Sequence, residues 1–190
     1  MHRRFHDAEK WSKVFDDPAR DEWQKPAQVI AALKLAEDAS VADIGSGTGY
    51  FAVRLAKALP RGRVYGADLE ADMVRFLNER AARDGLPNLA SHLAAPEDPR
   101  LPAAVDLTLV VDTYHHIANR SRYFERLKKS LKQGGRVAIV DFKLDSPVGP
   151  PARHRIAPEQ VRNEMQRAGY RLLEAPDLLP YQYLLIFAPR

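Results

Sequence analysis

A glycine-rich segment flanked by two carboxylates is the part of this sequence best suited to chemistry. Residues 43–49 read DIGSGTG, so glycines occupy alternate positions directly after an apolar segment. Glycine permits positive φ and lets a backbone approach a ligand closely. The helix that follows presents free N–H groups and a partial positive charge. Asp68 ends the next apolar segment, where a carboxylate can accept two hydrogen bonds from a ribose diol. These residues predict a nucleotide-binding crevice at the carboxyl end of a strand.

The glycine spacing excludes one nucleotide class and leaves two others. The chain has no G-x-x-x-x-G-K-[ST] segment, which excludes a P-loop ATPase. The dinucleotide fingerprint is G-x-G-x-x-G, whereas here the third glycine comes one residue early. Proteins that bind NAD and proteins that bind S-adenosylmethionine both use an acid such as Asp68, so this residue alone does not separate them.

The elements that position these residues alternate between strands and helices, which predicts a parallel sheet with helices on both faces. Strand-like segments lie at 40–44, 63–69, 89–94, 105–112 and 136–142, and helical apolar stripes lie at 50–59, 70–84 and 120–131. Gly85 and the pair Gly134–Gly135 are expected to end the last two of these helices. A further helix begins at Pro158 and ends at Gly169. Segments 170–175 and 181–188 follow with no helix between them, so they must be antiparallel neighbours.

The first 39 residues differ from this alternation. They predict two helices joined around Asp17 and Pro18, with Pro26 starting or kinking the second. Trp11, Phe15 and Trp23 are their large apolar side chains, which either dock the helices on the core or line a substrate pocket. We interpret residues 1–39 as a helical extension or lid on a single domain that spans residues 40–190.

The composition excludes several function classes. The chain has 190 residues, 29 basic and 25 acidic side chains, a net charge of +4 and no cysteine. The absence of cysteine rules out disulfides, thiolate metal sites and a cysteine nucleophile. The charges are interspersed, no segment is long enough to span a bilayer, and the first residues lack an apolar signal region. We therefore expect no nucleic-acid partner, no membrane partner and a cytoplasmic location.

The ordered motifs resemble those of class I S-adenosylmethionine-dependent methyltransferases. VADIGSGTGYFAVRLA and VYGADLEADMV resemble the first two motifs, and LAAPEDPRLP with VDLTLVVDTYHHI resembles the third and fourth. LKQGGRVAIVDF and the closing YQYLLIFAP complete the match over about residues 38–190. Within the family, the small-molecule branch similar to ubiquinone-biosynthesis C-methyltransferases is the nearest. The resemblance implies an α/β, Rossmann-like, doubly wound sheet of seven strands, mostly parallel with an antiparallel last strand, plus the N-terminal helical lid.

The resemblance also implies a cofactor, S-adenosyl-L-methionine, and the residues that hold it. The loop amides and the start of the following helix would face its carboxylate, and Asp68 would bind the ribose. The residues implied in cofactor binding are Asp43, Gly45, Ser46, Gly47, Gly49, Asp68, Leu69, Met73, Ala95, Pro96, Glu97 and Asp112. The family often carries an acid where this chain has Ala95.

Four residues follow or end the fourth strand, where the acceptor of the methyl group is expected. Asp112, Tyr114, His115 and His116 are the candidate catalytic residues. A base is needed if the nucleophile bears a proton. An imidazole titrates near neutral pH, so His115 or His116 is the candidate base, and no metal site is predicted from this pair.

Three functions remain open on sequence grounds. The first is methyl transfer by direct displacement to a small molecule, because the chain carries little beyond the core fold for recognising a macromolecule. The others are a non-catalytic S-adenosylmethionine-binding module and an NAD(P)-dependent oxidoreductase. The sequence does not specify the acceptor atom or the oligomeric state.

Overall fold

A seven-stranded sheet forms the centre of the structure, a computed structural model that describes residues 7–190. The strand order is β3-β2-β1-β4-β5-β7-β6. Pairs among β1 to β5 are parallel, and β7 runs antiparallel to both β5 and β6. The strands are β1 (Ser40–Ile44), β2 (Arg63–Asp68), β3 (Leu89–Leu93), β4 (Val105–Val111), β5 (Leu131–Phe142), β6 (Tyr170–Glu174) and β7 (Gln182–Pro189). The predicted fold class, including the antiparallel last strand, is confirmed.

Helices connect the strands. They are α1 (Ala8–Phe15), α2 (Arg20–Gln24), α3 (Pro26–Ala32), α4 (Tyr50–Ala58), α5 (Ala71–Arg83), α6 (Arg120–Leu127) and α7 (Pro158–Arg167). Single 3-10 turns lie at Tyr114–His116, Lys128–Ser130 and Ala152–His154. Gly85 and Gly169 have φ of 65° and 80° directly after α5 and α7, as predicted for residues that end helices.

Two apolar clusters hold the helices on the sheet. One contains side chains of α3, α4 and β1, and the other packs α6 and α7 against β5 and β7. Strands β1, β4 and β5 contribute to both clusters because their side chains alternate between the two faces. A sheet covered on both faces leaves its carboxyl edge as the place where loops can meet a ligand.

The N-terminal extension contains three helices in its described part rather than the two predicted. Lys25 has φ of 43° and separates α2 from α3, and Pro26 is the first residue of α3. A proline disfavours helical backbone in the residue before it, which explains the break. The joint at Asp17 and Pro18 lies between α1 and α2 as predicted. Residues 1–6 of the predicted extension lie outside the described residues.

The boundary between α6 and β5 also differs from the prediction. The α-helix ends at Leu127, and β5 begins at Leu131 instead of residue 136. Leu131 pairs with Val105, while Arg136 pairs with Leu107, so the residues between them form an irregularity within the strand. A Cβ on Gly135 would lie 2.9 Å from the Lys132 carbonyl oxygen. Gly135 therefore permits a tight bend in the strand and does not end the helix.

Candidate functional site

The glycine loop joins β1 to α4 and requires glycine at two of its three positions for steric reasons. Gly45, Gly47 and Gly49 have φ of 72°, 52° and 96°. A Cβ on Gly45 would lie 2.2 Å from Thr113 Oγ1, and one on Gly49 would lie 2.3 Å from Leu77 Cδ1. At Gly47 a Cβ would meet only the ring of Phe15, at 3.6 and 3.8 Å. The loop is thus packed against the core at both ends and faces α1 at its centre.

Two hydroxyls of this loop are buried without partners. Among residues 7–190, neither Ser46 Oγ nor Thr48 Oγ1 has a hydrogen-bond partner, and the two residues are 7% and 1% exposed. An unsatisfied buried hydroxyl costs about 1–3 kcal/mol. A ligand with polar atoms, such as a nucleoside carrying an amino acid, would supply the missing partners. The loop therefore fits the cofactor that the sequence implies.

The two carboxylates of the crevice lie on neighbouring strands. Asp68 Oδ2 accepts a hydrogen bond from the Gly47 N–H at 2.8 Å, and Oδ1 accepts one from the Glu70 N–H at 3.0 Å. Burial raises the pKa of Asp43 to about 7, and the nearby charge of Asp68 adds to this. Burial also raises the pKa of Asp68. Two carboxyl groups in one crevice favour a ligand that brings hydrogen-bond donors or positive charge.

The residues implied at the adenine lie in two different environments. Leu69 is 38% exposed, whereas Met73 is buried in the core. Ala95 pairs with Asp98 in a short antiparallel bridge, and Pro96 and Glu97 form its exposed tip. Glu97 binds Arg126 of α6 at 2.9 Å. Leu69, Ala95, Pro96 and Glu97 are thus the residues of this set that are accessible to a ligand, whereas Met73 is not.

Asp112 follows β4 with φ of 53° and is bound by three side chains from two elements, α2 and β7. Gln24 of α2 donates to Oδ2 at 3.0 Å, Gln182 of β7 donates to Oδ1, and Arg20 Nη2 lies 3.3 Å from Oδ2. Burial raises the pKa of Asp112 to about 6, although the charge of Arg20 opposes the shift. Asp112 therefore connects the N-terminal helix α2 to the carboxyl edge of the sheet.

His115 forms a pair with Asp141, which the sequence prediction missed. His115 Nδ1 lies 2.9 and 3.0 Å from the two carboxylate oxygens of Asp141, and the His115 backbone N–H donates to Oδ2 at 3.2 Å. Both side chains are buried, at 4% and 0% exposure. An ionised carboxylate only accepts hydrogen bonds, so Nδ1 carries the proton and Nε2 of the neutral ring is the basic atom. A carboxylate at the carboxyl end of β5 was the signal that could have revealed this partner.

The two histidines lie on a 3-10 turn and not on a strand. Their ring centroids are consequently 4.1 Å apart. The neighbouring Tyr114 is buried in the core, where its hydroxyl donates to Glu164 at 2.7 Å. The structure therefore places the His115 ring against His116 and near Asp112, and directs the Tyr114 hydroxyl to α7 instead. Within residues 7–190, no three acidic or histidine side chains form a group that could hold a metal ion.

The N-terminal helices pack directly over the glycine loop and the carboxyl edge of the sheet. Trp11 stacks on Phe15 with centroids 5.2 Å apart, and Phe15 lies against Gly47. Trp23 lies 6.0 Å from Phe142, the last residue of β5. The sequence did not distinguish docking from pocket lining for these aromatic residues. In the structure Phe15 and Trp23 pack the N-terminal helices against this edge of the sheet. None of the described helices is long and apolar enough to cross a membrane.

Fold and site together define a Rossmann-like protein with a nucleoside-type crevice and a histidine beside it. The family model for a methyltransferase domain matches residues 35–175. The chain belongs to this family, and its fold is that of class I S-adenosylmethionine-dependent methyltransferases. S-adenosylmethionine is the cofactor of these proteins. The family assignment does not favour the NAD(P)-dependent oxidoreductase considered from the sequence.

Individual relatives agree with this assignment. A trans-aconitate 2-methyltransferase of Rhodopseudomonas palustris is 30% identical over 179 residues, which cover 86% of this chain and 64% of that protein. A ubiquinone/menaquinone biosynthesis C-methyltransferase of Geotalea daltonii is 26% identical over 63% of this chain and 52% of that protein. The crystal structure of a SAM-dependent methyltransferase from Aquifex aeolicus has a TM-score of 0.88 and 27% identity, and the match covers 97% of this chain and 98% of that one. The chain spans between about half and two thirds of the length of these curated relatives.

Proposed function

We propose that this protein transfers a methyl group from S-adenosylmethionine to a small-molecule acceptor, with His115 as the general base. The observation that carries the proposal is the buried His115–Asp141 pair beside the glycine crevice. Thr113, two residues before His115, packs against Gly45, so the turn that bears the base contacts the cofactor loop. The charge of Asp141 raises the pKa of Asp112, so the partner of the base lies close to the carboxylate that follows β4. The base and the crevice therefore belong to one site.

The glycine crevice has the polar groups that the methyl donor, S-adenosylmethionine, would need. Asp43 and Asp68 offer acceptors to the ribose hydroxyls and the amino group, while the hydroxyls of Ser46 and Thr48 offer partners to the remaining polar atoms. Leu69 and Ala95 flank the position implied for the adenine. When bound, S-adenosylmethionine supplies a sulfonium methyl group that is transferred by displacement on carbon.

His115 suits an acceptor whose nucleophilic atom bears a proton. Nε2 takes this proton as the acceptor attacks, and Asp141 stabilises the imidazolium that forms. The lid residues above Asp112 exclude water from the reaction. A hydroxyl, an amine or a carbon acid would need this base, whereas an ionised carboxylate would not.

The test measures methyl transfer to each member of a panel of acceptors. The quantity measured is the formation of S-adenosylhomocysteine. The panel contains phenols, enols, amines and trans-aconitate, the last because of the relative that bears this name. We expect His115→Asn to lower turnover of a proton-bearing acceptor about 100-fold or more. His154→Asn, on an exposed turn, is the control. Equal rates for His115→Asn and the wild type would refute the assigned base.

The alternative function is a cofactor-binding module without turnover. Arg20 and Gln24 bond to Asp112 and so hold the lid closed over the acceptor position, which favours a module without turnover. Tight binding of S-adenosylhomocysteine with no methylated product from any acceptor would support this alternative and contradict the enzyme.

A further inference from the structure

A partly buried arginine, Arg155, lies in the loop that joins β5 to α7. This loop spans residues 143–157, and its regular structure is the 3-10 turn Ala152–His154. It begins directly after Phe142, whose N–H bonds to Asp141, the partner of the proposed base. The contacts that fix this loop therefore bear on the acceptor side of the site.

The Arg155 guanidinium donates to four backbone carbonyls of its own loop. Nε bonds to the carbonyl of Pro150 at 2.8 Å, and Nη1 bonds to those of Leu144 at 2.9 Å and Ser146 at 2.6 Å. Nη2 bonds to the carbonyl of Val148 at 3.2 Å. These carbonyls come from alternate residues, so this part of the chain curves around the guanidinium with one side of its backbone facing inward.

The prolines of the loop explain why it needs such a residue. Pro147, Pro150 and Pro151 have no N–H, so this segment cannot pair its carbonyls through a regular helix or strand. Backbone carbonyls shielded from water are costly when they have no partner. A guanidinium carries its N–H donors in a rigid planar fork, whereas a lysine ammonium is a compact point charge. Arg155 therefore supplies donors that the prolines remove, and it fixes the course of the loop.

A glycine lets the loop pack against the end of β5. Gly149 has φ of 92°, and a Cβ there would lie 2.5 Å from Cε1 of the Phe142 ring. Trp23 of α2 lies 6.0 Å from the same ring, between centroids. Gln182 of β7 pairs in register with Phe142 and donates to Asp112. Phe142 thus connects the loop to the N-terminal helices, beside a residue that is bound to Asp112.

The far end of the loop is held from β7. The buried Tyr183 hydroxyl donates to the carbonyl of Ile156 at 3.0 Å. Tyr183 also pairs in register with Asp141 across β5 and β7. Both ends of the loop are therefore fixed next to Asp141, and the contacts of Arg155 hold the backbone between them.

We propose that Arg155 is a positioning residue that determines which acceptors the protein methylates. It holds the loop as a fixed wall on Phe142, on the side of the site where His115 and Asp112 lie. The inference rests on the proposed function, because it says how the acceptor of that reaction is selected. Without the guanidinium the loop loses its four carbonyl contacts, and the acceptor loses a surface to bind. The glycine loop is formed by other elements, so binding of the donor does not depend on Arg155.

The test compares Arg155→Ala with Arg153→Gln, a matched control in the same loop. Arg153 is exposed on the 3-10 turn. The measurements are kcat and KM for members of the acceptor panel, the affinity for S-adenosylhomocysteine by isothermal titration, and hydrogen exchange of residues 143–157 by mass spectrometry.

We expect Arg155→Ala to raise the acceptor KM about 10-fold or more and to lower kcat less than about threefold, because the wall binds the acceptor equally before and during the reaction. Its affinity for S-adenosylhomocysteine should stay within about twofold of wild type, since the loss is confined to acceptor binding. Hydrogen exchange in the loop should become faster. All of these quantities should keep their wild-type values in Arg153→Gln.

Two further measurements separate this role from simple stabilisation. Guanidinium ion added to Arg155→Ala should lower the acceptor KM towards the wild-type value, whereas sodium chloride at equal ionic strength should not, because the carbonyls are arranged for a planar donor. Gly149→Ala should raise the KM with Arg155 in place, because its Cβ would push the loop off Phe142. In both variants the ratio of kcat/KM between a small and a large acceptor should change about fivefold or more.

Several results would overturn the inference. An unchanged acceptor KM in Arg155→Ala would show that the loop does not select the acceptor, and unchanged hydrogen exchange would show that Arg155 does not hold the loop. An equal loss of acceptor and S-adenosylhomocysteine binding would mean that the residue only stabilises the fold. If Arg155→Ala does not fold, Gly149→Ala decides, and an unchanged KM and acceptor ratio there would contradict the inference. A wild type that methylates no acceptor would instead overturn the proposed function itself, and this inference with it.

Discussion

Replacing Asp141 by Asn removes the negative charge that faces His115 and keeps the size of the side chain. Asp141 accepts three hydrogen bonds, from His115 Nδ1, from the His115 backbone N–H and from the Phe142 N–H at 2.8 Å. An amide has one oxygen, so its NH₂ group would face one of these donors. The substitution therefore removes the negative charge that stabilises the imidazolium. It also disturbs the tautomer of His115 in which Nδ1 carries the proton and Nε2 is basic.

The magnitude follows from these two losses. A hydrogen bond to a charged group contributes about 1.5–3 kcal/mol. At about 1.4 kcal/mol per tenfold change in rate, losing it costs roughly 10- to 150-fold. Disturbing the tautomer removes part of the general-base contribution, which is typically about 10²- to 10⁴-fold. We expect Asp141→Asn to lower kcat/KM by about 100-fold or more.

The assay is kcat/KM with the acceptor that the panel identifies. Binding of S-adenosylhomocysteine should change less than twofold, since Asp141 does not line the glycine crevice. Asp177→Asn is the control, because Asp177 is exposed and binds Lys143 at 3.3 Å near the same edge.

A value of kcat/KM for Asp141→Asn within threefold of wild type would refute the orienting role of Asp141. His115→Gln is measured in the same assay, because a rate lost through poor folding of Asp141→Asn would say nothing about the base. If His115→Gln lowers the rate and keeps the wild-type melting temperature, the base is supported independently.

Three further predictions concern the crevice and the core. Gly45→Ala should lower the melting temperature by several degrees and abolish detectable S-adenosylhomocysteine binding, because a Cβ there collides with Thr113; wild-type binding would contradict this. The raised pKa of Asp43, about 7, means that the ligand-free folded state binds more protons than the unfolded state between about pH 4 and 7, so its stability falls as pH rises through this range. Asp43→Asn should therefore melt higher than wild type at pH 8 and lose this advantage near pH 4, and a constant difference across pH would exclude the linkage. Glu164→Gln should lower the free energy of unfolding in urea by about 3 kcal/mol, because it leaves Arg120 without its counter-ion, while S-adenosylhomocysteine affinity stays unchanged.

The order of elements in the core domain could be predicted from the sequence because their patterns are local. β1 and the start of β2 agree with the predicted ranges, since each is a short apolar run next to glycine or charged residues. The glycine loop was also predictable, because alternate glycines after a strand have few other structural uses. The errors arose where local patterns conflict with tertiary pairing. The sequence pattern predicted a helix end at Gly134 and Gly135. In the structure these glycines belong to β5, where pairing with β4 leaves an irregularity in the strand.

The residue types along the chain were enough to predict a nucleoside crevice, its cofactor and a histidine near the acceptor. Only the tertiary structure decided which side chains meet there. Asp141 comes 26 residues after His115, and Arg20 comes 92 residues before Asp112, so no spacing rule in the sequence relates them. The same packing turned Tyr114 into the core, towards Glu164, although it stands next to His115 in the chain. The physical reason is that a motif is set by neighbours along the backbone, whereas a site is set by loops that the sheet brings to one edge.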